Sequence, residues 1–134
     1  MQHNDRMCEA REWLRYAEAD LALAGVPLPA KGMYEQLSFH AQQAVEKAIK
    51  AVLVSQGIDF PKTHSIEFLL TCLPTNVSRA AILMQVYKLT GYATIFRYPG
   101  DEEPLSWDSY QELLMIARDT LVWAVAVINA VDTT

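Results

Sequence analysis

The chain has few of the features that would point to a metal, a membrane or a disulfide framework. It holds two cysteines, Cys8 and Cys72, in different predicted helices and without a Cys-x-x-Cys or zinc-type spacing. Two reduced, mostly buried thiols are the expectation. The sequence contains no glycine-rich phosphate loop, no nucleophile elbow and no His/Cys/Asp metal cluster, so no metal or cofactor is expected. The most apolar stretch, residues 121–131, is far short of the ~20 residues a membrane span needs, and extending it backwards meets Arg118 and Asp119. No apolar run follows basic residues at the N-terminus, so no signal peptide is read and a cytoplasmic location is expected. Positive charge is scarce too. The formal net charge is −5 and the pI about 5.1, which excludes the global basic field of a non-specific nucleic-acid binder but not a local basic patch.

No segment alternates with the period of two that a half-buried strand requires. The apolar content is 51% of 134 residues, enough for a sizeable core in one domain spanning residues 1–134, with apolar surface left for self-association. Helical periodicity recurs instead. Ala10, Trp13, Leu14, Ala17, Leu21 and Ala24 give residues 5–24 an i, i+3, i+4 stripe, stopped by Gly25, Pro27 and Pro29. A second helix is predicted over residues 33–56, with Gly57 at its C-cap. Thr63 or Ser65 can cap a short third helix ending near Leu73, and a fourth runs from Asn76 or Ser78 to about Ile95, weakened at Gly91. A loop with Pro99, Gly100, Pro104 and the acidic run Asp101-Glu102-Glu103 precedes a fifth helix. That helix opens on a Ser109–Glu112 capping box or a turn earlier. The predicted core includes Trp13, Leu14, Leu21, Ala44, Ala48, Val52, Leu69, Leu70, Leu83, Leu114 and Leu121. Residues 121–131 are apolar nearly all round. Such a helix end must be covered on several sides, either by its own bundle or by a second copy, and a homodimer is the expectation.

The second helix carries the densest chemistry. Leu37, Ala41, Ala44, Val45, Ala48, Ala51 and Val52 share one arc, while His40, Gln42, Gln43, Glu46, Lys47 and Lys50 lie opposite with Phe39 among them. Two amides, an imidazole and an aromatic interleaved with charge suit a surface for a phosphate-bearing ligand or a partner. The plainer alternative is a wet helix face on which Glu46 and Lys50 form an i, i+4 pair. His64, at the start of the third helix, is either a local capping residue or a site residue. Arg97 sits beside Tyr98 where the fourth helix gives way to a loop. Its planar fork suits phosphate or carboxylate, or it pairs structurally with Glu46 or with the acidic run.

Phe39-His40-x-Gln42-Gln43-Ala44-x-Glu46-Lys47-Ala48-x-Lys50-Ala51, then Pro61-x-Thr63-His64, then Arg97-Tyr98-Pro99 resemble, in order, the motifs of the small prokaryotic branch of the HEPN domain family. The resemblance covers nearly the whole chain from about Trp13. It implies an all-α, five-helix up-and-down bundle, with the second and fifth helices among the longest. It also implies a place in a toxin–antitoxin-like pair with a minimal nucleotidyltransferase. His40, Gln43, Glu46, Lys47, Lys50, His64, Arg97 and Tyr98 become the candidate ligand- or partner-binding residues, with a nucleotide or RNA as further ligands. HEPN ribonucleases carry Arg, four to six residues, then His, the Arg holding phosphate and the His moving protons. Here Arg97 is followed by Tyr-Pro-Gly-Asp-Glu-Glu-Pro, and no His occurs after it. The resemblance therefore favours a binding and regulatory HEPN protein with weak or no ribonuclease activity. An RNA-cleaving toxin with an atypical site on Arg97 and His64 is the alternative, and a structural dimerisation module the third reading. His64, Arg97 and Tyr98 are expected to converge on Gln43, Glu46 and Lys47.

Overall fold

The structure, a computed structural model, describes residues 2–77, 85–86 and 104–133. Among these the regular structure is entirely helical: α1 (His3–Ala24), α2 (Tyr34–Ser55), α3 (Ile66–Thr71) and α4 (Trp107–Asp132). Gln85 and Val86 are helical as well. They fall within the predicted fourth helix; Asn76 and Val77, at its earlier predicted start, are not helical, and the rest of it, with Leu83, Gly91, Arg97 and Tyr98, lies outside the described residues. The predicted fifth helix is thus α4 here.

The local chemistry that starts and stops each helix follows the sequence closely. Ser65 Oγ accepts from the backbone N–H of Phe68 at the head of α3, and Ser106 Oγ accepts from Ser109 N at the head of α4. The cap of α4 is therefore one turn before the Ser109–Glu112 box. After α2, Gly57 adopts φ +72°. The Gly57 N–H reaches Val54 O and the Ile58 N–H reaches Leu53 O, the paired bonds of a Schellman turn, which needs a residue free of a Cβ penalty.

α2 is the central element. It packs most extensively on α1, next on α4, and then on α3. From Ala44 to Ser55 every residue but Lys47 is buried. The core runs from Ala10, Leu14 and Ala17 of α1 through Val45, Ile49, Val52 and Leu53 to Leu113, Leu114, Ala117 and Ile128 of α4, with Leu69 of α3 and Val86 alongside. Trp13 and Leu21, predicted as core, are half-buried and pack against its edge.

Three polar ties hold the ends. Tyr110 Oη donates to the Ala24 carbonyl at the end of α1, with the Tyr110 ring stacked on Tyr34 at 5.0 Å. Burial pushes the Tyr110 hydroxyl pKa up. The Leu105 N–H donates to Glu35 Oε1 at 2.6 Å. Arg11 donates to Asp132 Oδ2 at 2.7 Å, and this bond holds the Asp132 carboxyl below its usual range. Both cysteines are free, but Cys8 is exposed rather than buried, since it sits on the outer face of α1 beside buried Met7. By length and composition α4 could cross a membrane. Its buried stripe of Leu113, Leu114, Ala117, Leu121, Ala124 and Ile128 is what a bundle core requires.

Candidate functional site

The predicted polar arc of α2 is not a solvated face. Glu46 and Lys50 are buried, with side chains 4% and 8% exposed. They are bonded to each other as the i, i+4 pair, Lys50 Nζ donating to Glu46 Oε2 at 3.0 Å. The cause is the centrality of α2, which is covered on more than its apolar side. Two buried charges are tolerated because each neutralises the other and both are further engaged. The Lys50 ammonium lies 5.3 Å from the Trp13 ring centre and 5.9 Å from that of Phe60, a cation–π arrangement that replaces part of its lost hydration.

His64 closes the same group from outside. Its Nδ1 is 3.2 Å from each carboxylate oxygen of Glu46, while its side chain is 85% exposed. An ionised carboxylate can only accept, so Nδ1 is the ring nitrogen that donates to Glu46. The Thr63–Ser65 turn supports this position: Ser65 N donates to Thr63 Oγ1 at 3.0 Å, and Ser65 caps α3. His64 itself does not cap the helix.

One turn back along α2 lies a second group. Asp20, nearly buried on α1, receives Lys47 Nζ at 2.5 Å on one oxygen and His40 Nδ1 at 3.2 Å on the other. His40 and Lys47 are thereby turned toward α1. Phe39 meets the His40 ring edge-on at 5.5 Å. Gln43 is half-buried on the same side of α2. Of the predicted site residues, the structure therefore brings His64 to Glu46 and Lys50, and groups His40 with Lys47. Arg97 and Tyr98 lie outside the described residues, so their part in the convergence is not placed.

Sequence reasoning missed three participants. Asp20 sits on the buried stripe of α1 with Ala17 and Ala24, and a lone carboxylate on an apolar stripe was a legible signal of a partner. Trp13 was read as core and Phe60 not at all. Together they flank Lys50 and line a cavity of about 440 Å³, with Arg6, Glu9, Val54 and Ile58 also in its wall. A second hollow of about 540 Å³ runs along the end of α4, lined by Trp123, Val127 and Val131 with Val77. No cluster of three metal-ligating side chains occurs among the described residues.

Comparison with known proteins agrees with this architecture. The sequence model of the HEPN domain matches residues 10–128. A crystal structure of ST0689, an archaeal HEPN homologue, is similar with a TM-score of 0.53 and 27% identity, over 96% of this chain and 98% of that one. TT1696 from Thermus thermophilus is 28% identical with a TM-score of 0.49, over 98% of this chain and 96% of that one. A Methanocaldococcus jannaschii protein named "Putative toxin MJ1304" is 45% identical over 51 residues, 38% of this chain. The match spans 33% of that protein's length.

Proposed function

The chain belongs to the HEPN domain family, and from that premise we propose that it is the binding and regulatory half of a toxin–antitoxin-like pair, acting on a minimal nucleotidyltransferase partner or a nucleotide. The observation that carries this reading is how the cations of α2 are used. Lys47 and His40 are engaged by Asp20, and Lys50 by Glu46, so three donors that could have gripped a phosphate backbone are neutralised within the fold. With no His after Arg97 and an acidic run beside it, the arrangement is poorly suited to holding and cutting RNA. The similarity to a named toxin, over part of its length, supports the toxin–antitoxin setting.

The test is binding without cleavage. The purified chain is titrated with a minimal nucleotidyltransferase and with nucleoside triphosphates, by calorimetry. Binding of one of them, weakened by Arg97→Ala, supports the reading; no binding to any contradicts it. A second reading, RNA cleavage at an atypical site, is favoured by one observation, the carboxylate-held imidazole of His64. Arg97 would hold the phosphate and His64 would move the proton. As a third reading, the hollow on α4 and exposed Val122 support a dimerising role, which is compatible with the first.

A further inference from the structure

The Glu46–His64 pair does more than satisfy a buried carboxylate. A His whose only task was to cover Glu46 would gain by lying flat over it and losing its own exposure, yet this ring remains 85% exposed. Its Nδ1 is held by Glu46, and its Nε2 lies at the far side of the ring. This is the arrangement of an oriented nucleophile: a carboxylate fixes tautomer and direction and stabilises the charge that develops on the ring. Lys50 adds a second property. At contact distance Glu46 still binds the Nδ1–H, but at longer range Lys50, 3.0 Å from Glu46 Oε2, cancels its charge, so an anionic reagent is not repelled. Trp13 and Phe60 keep Lys50 in place for this. Exposed Lys62, two residues before His64, adds a cation to the approach.

We propose that His64 is a phosphoryl-acceptor histidine, positioned by Glu46, that takes phosphate on Nε2 from a small acyl phosphate or phosphoramidate. The Nε2 lone pair forms the N–P bond. With an acyl phosphate the P–O bond to the acyl group breaks and its electron pair leaves with a carboxylate; with phosphoramidate the P–N bond breaks and its electron pair leaves with ammonia. Nδ1 keeps its proton, and the positive ring faces Glu46. The modification would place a dianionic group on the surface beside the Glu46–Lys50 pair, and so would regulate what binds there. The assignment does not rest on the partner reading: phosphorylation can succeed or fail whether or not a nucleotidyltransferase binds.

The experiment incubates the full chain with acetyl phosphate and, separately, with potassium phosphoramidate, and follows it by intact mass and 31P NMR. The expected result is one acid-labile, alkali-stable phosphate per chain, absent in His64→Gln, which alters an exposed side chain. Glu46→Gln is expected to slow labelling by roughly tenfold or more, the scale on which a carboxylate orients an imidazole. Because Glu46→Gln also leaves Lys50 without its counter-ion, the wild-type imidazole is measured directly by long-range 1H–15N NMR at neutral to mildly alkaline pH. A protonated Nδ1 and bare Nε2 are expected. No label on the wild type, label retained in His64→Gln, labelling of folded Glu46→Gln at the wild-type rate, or the opposite tautomer would each overturn the proposal.

Discussion

Single residues decide whether the polar side chains of α2 serve the fold or a ligand. Glu46 and Lys50 are enclosed among apolar neighbours, and their mutual bond offsets a desolvation cost that neither could bear alone. Removing one partner should therefore be worse than removing both. Lys50→Ala is expected to cost about 3–5 kcal/mol in urea denaturation, because Glu46 keeps its burial and loses its counter-ion. The double substitution Glu46→Leu with Lys50→Met should recover most of that loss. Equal destabilisation by the single and the double variant would show that the pair is not the unit it is taken to be. Legibility at this scale was uneven. The i, i+4 spacing of Glu46 and Lys50 announced the pair, but not that it is buried: periodicity assigns residues to arcs of a helix and says nothing of how many neighbours cover those arcs. His64 reaching Glu46 was anticipated from motif order alone, since no local rule joins residues 18 positions apart. Asp20 was written plainly on an apolar stripe and was overlooked because the stripe around it was read for its hydrophobes only.

At the scale of elements, α1, α2 and α4 were legible because long amphipathic patterns with clear caps leave little choice. Gly57 and Ser65 stand where a terminus needs them, and the observed bounds of α1 and α2 differ from those predicted by at most two residues at any end. The joints between elements were not legible, since they depend on side chains meeting at the ends of helices. The Tyr110 tie is the main case. Its hydroxyl has a raised pKa because burial disfavours the phenolate. Above the ordinary tyrosine pKa the unfolded chain releases this proton while the folded chain still holds it, so stability falls as pH rises from about 10. Tyr110→Phe should remove that component, flattening the alkaline limb of a plot of stability against pH. At neutral pH it should cost ~1–3 kcal/mol, as the Ala24 carbonyl loses its donor. An alkaline limb unchanged by Tyr110→Phe would refute the assignment. Within α4, Leu114 is 3% exposed, and Leu114→Ala should cost roughly 2–5 kcal/mol. A thermal or urea denaturation loss below about 1 kcal/mol would mean that this face of the helix does not carry the core.

At the scale of the whole molecule, α4 is buried along one stripe and exposed along another. Val122 is 71% exposed, and a hollow lined by Trp123, Val127 and Val131 lies along the same end of the helix. The all-round apolar character of residues 121–131 thus exceeds what the described part of one chain covers. The protein is expected to be a dimer by light scattering at tens of micromolar, and Val122→Glu should convert it to a monomer with its helical circular dichroism intact. A monomeric wild type would contradict this. The family was readable from three short motifs in order, whereas the state of its site was not, because a motif names residues without saying whether their charges are already spent inside the fold.

The central claim is that the donors of α2 serve internal pairs and that the chain binds rather than cuts. It is tested most directly by incubating the purified protein with single-stranded RNA, without other proteins, and following the RNA by denaturing electrophoresis. The account predicts intact RNA over hours at protein excess, for wild type and for Arg97→Ala and His64→Ala alike. Cleavage by the wild type that both substitutions abolish would contradict it and establish an Arg97–His64 ribonuclease site in its place.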